Sequence, residues 1–272
     1  MNRNKWLVII LLAVICALGI VISSYADYLL LSRLPWLLAV STIAGIILGL
    51  LNVRFKSKTV VEDGEISRHG IGAFIQHWLT GLGIFLLIIS GFIMGFLFFP
   101  PIADTPKSVL FPLNMHFIGL NITLLGGFYF LTDYILSGRF SILMPNIKDI
   151  TQGTIGKYLL RKKWTAEGKY LSSQKSAFLA TAILGGAQII TGSIKVMGHF
   201  WDIPSATLAI TTAIHDIFSL LFIIMLLIHI LFVLVFAEHR ILLKSWFTGK
   251  VSESYAKEKH EDWYDELTKQ KK

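Results

Sequence analysis

A chain of 272 residues that is 54% hydrophobic and only 15% charged, with a mean hydropathy of +0.65, has more apolar surface than a soluble domain of this size can bury, which makes it a polytopic membrane protein. The net charge of +8 would suit a nucleic-acid binder, but the basic residues are sorted by side of the membrane, as shown below, and that excludes a nucleic-acid partner. The single cysteine, Cys16, excludes an internal disulfide, a C-x-x-C-H site for covalent heme and a cysteine-held iron–sulfur cluster.

Windows of about twenty apolar residues, enough to cross a ~30 Å hydrocarbon core, predict six all-α membrane spans. The first is Trp6–Ser24. Met1–Lys5 before it is basic, and Ser24-Tyr25-Ala26 resembles a small-residue cleavage site, so residues 1–26 read either as a removed signal peptide, leaving five spans, or as a retained anchor. The apolar stretch is longer than a usual signal core, which favours the anchor. The second span is predicted over Tyr28–Leu51, so that residues 1–51 form an N-terminal pair followed by an inner loop at 52–73. Spans at Phe74–Phe99, Leu113–Leu136, Ala177–Met197 and Leu208–Ala237 make a four-helix core over residues 74–237, interrupted by a longer loop at Ser137–Ser176. Residues 238–272 are a polar tail, and the six spans leave almost no room for a separate soluble domain.

With the N-terminus placed inside, the inner segments hold 22 of the 25 Lys and Arg residues, and only Arg33, Lys107 and Lys195 fall outside. This is the positive-inside pattern, so both termini are expected on the cytoplasmic face of a bacterial inner membrane. The surplus of positive charge also attracts anionic lipid.

Topology assigns a depth to each intramembrane histidine. His215 and His229 are fourteen residues apart on the sixth span. That is ~1,400° of rotation, within ~40° of a whole number of turns, and ~21 Å of rise, so both leave one helix face at different levels. His77 lies one turn into the third span at its inner end, and His116 in the first turn of the fourth at its outer end. The four form an inner pair, His77 with His229, and an outer pair, His116 with His215. Each pair is one set of axial ligands, which predicts two noncovalent b hemes. His69, His199, His239 and His260 lie in loops, at span ends or in the tail, where a solvated surface histidine is expected. Gly81, Gly83, Gly91, Gly95, Gly126, Gly127, Gly185, Gly186 and Gly192 punctuate the core spans. They allow close helix contact, with Gly91-x-x-x-Gly95 at the common packing spacing, or room for a flat porphyrin.

These residues resemble the cytochrome b, or gamma, subunit of membrane-bound formate dehydrogenases, over roughly Arg68 to Leu267. The resemblance rests on Gln76-His77-Trp78-Leu79 opening a span, on His116, on the His215/His229 pair, and on a tail reading Thr248-Gly249-Lys250-Val251-Ser252-Glu253, Tyr255-Ala256-Lys257 and His260 to Leu267. It implies a four-helix di-heme cytochrome with His77, His116, His215 and His229 as iron ligands. It also implies an iron–sulfur subunit and a molybdopterin catalytic subunit on the outer face, and menaquinone or ubiquinone reduced near the inner heme. Where that family shows K-Y-N-A-G-Q-K, this chain has Lys169-Tyr170-Leu171-Ser172-Ser173-Gln174-Lys175, so the asparagine beside the quinone is replaced at Leu171. Lys169, Gln174 and Asp133 are the candidate quinone or proton contacts; for Asp133, a salt bridge to a loop lysine is the plain alternative.

No primary-substrate site lies in this chain, so the same cytochrome would serve a hydrogenase or a thiosulfate or polysulfide reductase equally well. A cofactor-free transporter or membrane anchor is the rival class. A transporter should show broken helices in repeated halves with polar sites at the midplane, whereas this sequence has no internal repeat and its polar residues gather near the two surfaces.

Overall fold

The computed structural model describes residues 3–55, 61–164 and 167–269. It is almost entirely helical, and six helices are long and apolar enough to cross a membrane. They are α1 (Arg3–Tyr25), α3 (Leu37–Arg54), α4 (Ile71–Met94), α5 (Leu110–Leu136), α6 (Ser172–Phe200) and α7 (Ser205–Val235). The short helix α2 (Leu30–Arg33) precedes α3, and α8 (Ala237–Thr248), α9 (Glu253–Lys259) and α10 (Glu261–Lys269) follow α7.

Two predicted spans change their limits for local reasons. The segment from Tyr28 does not run as one helix: α2 stops at Arg33 and the membrane helix starts at Leu37. Pro35 lies in the gap, and a proline biases the residue before it away from helical geometry. The start of α2 is held by Asn114, wholly buried on α5, whose Oδ1 accepts from the Leu30 N–H at 2.8 Å while its Nδ2 donates to the Tyr28 carbonyl at 3.0 Å. The third span ends at Met94, short of the predicted Phe99. Gly95 closes it at φ +84°, where an added Cβ would lie 2.7 Å from the Pro101 nitrogen. The chain turns there through a bridge between Phe96 and Phe99.

The chain divides into two compact units. The first holds α1 to α5 with Ser245–Gly249 from the end of α8. Its helices approach closely because glycine meets backbone. A Cβ at Gly45 would lie 2.5 Å from the Leu125 carbonyl oxygen, and one at Gly49 3.0 Å from that of Tyr129, both on α5. On the α4–α5 seam, a Cβ at Gly126 would lie 2.9 Å from the Thr80 nitrogen and one at Gly119 3.1 Å from the Gly83 oxygen. For the Gly91-x-x-x-Gly95 pair, expected at a packing seam, nothing among the described residues lies within 4 Å of a Cβ at Gly91, and Gly95 is the helix stop. Leu79, Leu86, Met115 and Ile122 form the buried cluster of this unit, with Leu12, Ile15 and Cys16 of α1 against it.

The second unit holds α6 and α7, which cross with Gly185 near Phe222 and Gly192 near His215, and most of the polar segments. Those segments fold instead of trailing. A hairpin of β1 (Val61–Glu62) and β2 (Glu65–Ser67) pairs Val61 with Ile66. It turns at Asp63-Gly64, both at positive φ, the backbone that an Asp-Gly hairpin turn requires. A third strand, β3 (Lys250–Ser252), extends the sheet beside β2. Ile66, Leu171, Leu242, Val251, Tyr255, Ala256 and Trp263 close a small apolar core. Residues 149–159 form a π-helix, a rare geometry that often marks functional segments.

The glycine contacts predict that Gly45→Ala destabilises the purified protein by about 1–3 kcal/mol, the usual cost of overpacking a tight contact. Ile47→Ala, on an exposed position of the same helix, should be tolerated. Thermal unfolding in detergent checks this, and equal melting temperatures for both variants would contradict the close-approach account.

Candidate functional site

In the first unit, α4 and α5 run antiparallel, with Thr80 against Gly126, Gly83 against Gly119, and Ser90 against His116. Ser90 is thirteen residues beyond His77, a rise of ~20 Å. The two histidines of this unit therefore occupy levels about 20 Å apart. In the second unit, His215 and His229 are fourteen residues apart on the unbroken helix α7, ~21 Å along its axis. Each unit thus carries two of the four histidines expected within the spans, at nearly the same separation along the helix axis.

The histidines expected at the outer level share one local device. His116 Nδ1 lies 3.0 Å from the Ser90 hydroxyl, and that hydroxyl donates its proton to the Leu86 carbonyl one turn back, at 2.6 Å. His215 Nδ1 lies 2.8 Å from the Thr191 hydroxyl, which donates to the Ala187 carbonyl at 2.7 Å. A hydroxyl has one proton. With that proton given to the backbone, the oxygen accepts from Nδ1–H, and the imidazole carries its lone pair on Nε2. Binding of a metal by one ring nitrogen with the other anchored by a hydrogen bond is the usual arrangement of ligating histidines. Gln188 braces the same region, its Nε2 donating to the His215 carbonyl at 2.9 Å and to the Ser219 hydroxyl at 3.1 Å.

His77 and His229 are held differently. The His77 ring stacks on Trp246 at 4.5 Å and 16° between planes, and His69 stacks on the same indole at 4.0 Å and 9°. Lys5 Nζ donates to the Trp246 carbonyl at 2.5 Å. Stacking fixes the plane of the His77 imidazole while its edge stays accessible, since the residue is exposed. His229 is half-buried within its apolar helix, and no hydrogen bond or ion pair ties it within its own unit among the described residues. A buried imidazole is costly unless its ring nitrogens find partners.

Glycines free the faces beside these histidines. Gly81 and Gly91 lie four and fourteen residues beyond His77, each within ~40° of its direction, and Gly127 lies eleven beyond His116, within ~20°. Nothing lies within 4 Å of a Cβ at any of the three. The donor set, with histidine nitrogens but no cysteine beyond Cys16, and these side-chain-free faces fit a planar, noncovalently held heme. The site is not a metal cluster: no group of three or more His, Cys, Asp or Glu side chains that could hold a metal ion occurs among the described residues.

The three residues read as quinone contacts are divided between the two units. Lys169 Nζ lies over the Trp263 ring at 5.9 Å. Gln174 closes the first turn of α6, its Oε1 accepting from the Leu171 N–H at 3.1 Å. Both belong to the second unit, whereas Asp133 belongs to the first, where its Oδ2 accepts from buried Gln76 Nε2 at 3.0 Å. Leu171 is wholly buried in the small apolar core. Three histidines expected on the surface are buried instead: His69 is 6% exposed, His239 5% and His260 0%. The cause is the folded tail and loop, which enclose His260 with its Nδ1 2.7 Å from the Gly168 carbonyl. His199 ends α6 beside Phe200.

Sequence reasoning missed the hydroxyl partners Ser90 and Thr191, the Trp246 stack, and a polar cluster in the second unit. There Tyr158 donates to Glu238 Oε1 and lies 2.9 Å from His239 Nε2, while Lys157 pairs with Glu238 at 3.0 Å. A hydroxyl opposite a histidine is invisible until the helix rotation is known. The Lys157-Tyr158 and Glu238-His239 pairs, at the edges of two polar segments, were the available signal for the cluster.

The family model of prokaryotic cytochrome b561 matches residues 68–249, which covers all four histidines and more than half of the chain. No curated protein matches. That family is an all-helical membrane bundle that binds heme b, in agreement with the six spans and the imidazole faces described above. The chain belongs to the prokaryotic cytochrome b561 family, as a multi-pass membrane cytochrome b of electron transfer.

Proposed function

We propose that this protein is the membrane cytochrome subunit of a formate dehydrogenase-type complex, passing electrons from an outward-facing dehydrogenase and its iron–sulfur subunit, through two b hemes, to a quinone at the inner face. The observation that carries the reading is the matched separation of two imidazole levels in both units, ~20 Å on α4 and α5 and ~21 Å on α7. His77 and His229 would hold the inner heme, and His116 and His215 the outer one. Bound heme b supplies a one-electron carrier whose potential is set by its axial ligands and their hydrogen bonds.

The protein's own part is orientation and insulation. Ser90 and Thr191 fix the outer imidazoles as Nδ1–H tautomers, and Trp246 fixes the plane of His77. Apolar side chains over the rest of the spans exclude water. Because one electron moved inward crosses most of the bilayer, transfer works against ~2.3 kcal/mol per 100 mV. The quinone must therefore accept at a higher potential than the outer donor supplies. The folded tail supports the choice of a formate dehydrogenase partner: Val251, Tyr255, Ala256 and Trp263, which carry the resemblance there, are core residues of the small apolar cluster. The orientation, with both termini cytoplasmic, rests on the distribution of Lys and Arg.

In membranes containing the assembled complex, formate should reduce the b heme signal and added quinone should reoxidise it. Reduction by hydrogen, thiosulfate or polysulfide donors in place of formate would assign the cytochrome to another dehydrogenase. A pyridine hemochrome assay of the purified chain should give two b hemes per polypeptide, and a value near one would overturn the two-level reading.

Removal of one hydroxyl anchor gives a sharper expectation. Thr191→Val keeps side-chain shape but cannot hold His215 Nδ1, so affinity for the outer heme should fall by about 10- to 100-fold. Heme titration of the heme-depleted variant measures this, and unchanged affinity would mean that the hydroxyl does not orient the ligand.

A further inference from the structure

The polar cluster of the second unit gathers carboxyl groups, ammonium groups and an imidazole. Three carboxyl groups, Asp149, Glu167 and Glu238, meet two ammonium groups, Lys157 and Lys175. Lys175 pairs with Asp149 at 3.2 Å. Lys157 bridges the other two acids, 3.0 Å from Glu238 Oε2 and 3.6 Å from Glu167 Oε1. Lys259, at the rim, is matched by Glu258 at 2.8 Å. The remaining titratable neighbours are Tyr158 and His239, which lie against Glu238.

The two carboxyls bridged by Lys157 have opposite environments. Glu167 is 1% exposed. Its Oε2 accepts from both the N–H and the hydroxyl of Ser172, at 2.6 and 2.8 Å, whereas its Oε1 is buried without any hydrogen bond. Burial pushes this carboxyl up to about 7, outweighing the Ser172 bonds and Lys157. Burial also pushes Glu238 up, but there the Tyr158 hydroxyl and Lys157 more than offset it and hold the group below its usual range. Burial and the Glu238 acceptor keep the Tyr158 phenol protonated. Carboxyls whose environments drive their acidities apart divide the roles of proton holder and proton carrier between them.

Glu238 and Tyr158 open onto a cavity of about 320 Å³ lined by Lys157, Tyr158, Phe236, Ala237, Glu238 and Lys259. Its aromatic wall is continuous with α7: Tyr158 packs on Phe232 at 4.9 Å and on Phe236 at 4.8 Å. Phe232 lies three residues beyond His229, so the cavity begins about a turn or two past the inner ligand level.

We propose that Glu167 holds a proton in the folded protein and, through Lys157 and Glu238, supplies it to an acceptor in the cavity beside Tyr158. Lys157 gives a proton to Glu238 and takes one from Glu167, whose carboxyl O–H breaks, and Glu238 passes its proton on. The net change is one proton lost at Glu167 and one gained by the acceptor. That acceptor is a quinone ring receiving electrons from reduced heme b. Of the two protons that a two-electron reduction takes up, Glu167 provides one, and water at the open rim provides the other and then reloads Glu167. The destination of the proton rests on the quinone reading above; its storage on Glu167 does not.

Infrared difference spectra of the purified heme-loaded protein across a pH titration test the storage step. A protonated-carboxyl C=O band should titrate near neutral pH, shift in heavy water and vanish in Glu167→Gln, with the heme spectrum reporting that the variant is folded. Lys157→Gln removes the neighbouring positive charge, so in that variant the same band should persist to higher pH. Absence of the band, or its survival in Glu167→Gln, would overturn the proposal. In the assembled complex, Glu167→Gln should slow quinone reduction by about 10²-fold, the low end of what a positioned proton donor contributes, with heme reduction by dithionite unchanged. An unaltered quinone rate alongside loss of the band would overturn the delivery route. Failure of the wild-type complex to reduce quinone would strike at the acceptor alone, and the infrared result would still decide the storage of the proton.

Discussion

An imidazole placed in hydrocarbon must find a partner for each ring nitrogen, and most features of this protein follow from how that requirement is met. For two of the histidines the partner of Nδ1 is a hydroxyl, Ser90 for His116 and Thr191 for His215. Each hydroxyl is itself committed to the carbonyl one turn back. The commitment matters more than the contact. A freely rotating hydroxyl could donate or accept, whereas one that has given up its proton leaves the histidine a single tautomer, with the lone pair on Nε2. At His229 no such hydroxyl partner occurs within its own unit among the described residues.

The same rule explains the surrounding polar chemistry. Thr42, Thr123 and Thr181 return their protons to carbonyls four residues back, so that small polar side chains sit in apolar helices at little cost. Asn114 satisfies two backbone groups at the start of α2, the Leu30 N–H and the Tyr28 carbonyl. Outside the spans, water is near and the design changes. The π-helix, the start of α6 and the start of α8 bring Asp149, Glu167, Lys157, Tyr158, Glu238 and His239 together. There, charge balance in place of lone-pair bookkeeping decides which group keeps a proton.

How much of this was legible in the sequence depended on the range of the interaction. The spans were legible because apolar length alone defines them, and the histidine levels because rise per residue is fixed. The stops at Leu34 and Gly95 were written in Pro35 and in the Pro100-Pro101 pair, but an averaging window blurs such punctuation. The Asp63-Gly64 turn was a local signal inside a segment read only as loop. The fold of the tail was not legible. It depends on contacts such as Lys250 with Glu65 and His260 with Gly168, 185 and 92 residues apart. No local pattern encodes those, and they turn His69, His239 and His260 from expected surface residues into buried ones. The hydroxyl anchors were hidden for a different reason: Ser90 and Thr191 become partners only once the rotation of α4 and α6 about their axes is set.

The central claim is that four histidines form two ligand pairs at two levels, and the pairing is what a direct measurement can decide. Redox-resolved visible spectra of the four single alanine variants provide it, because two b hemes at different depths differ in potential and can be told apart. His77→Ala and His229→Ala should each lose the same heme, and His116→Ala and His215→Ala should each lose the other. Loss of one and the same heme in His77→Ala and His215→Ala would contradict the two-level arrangement and the electron path built on it.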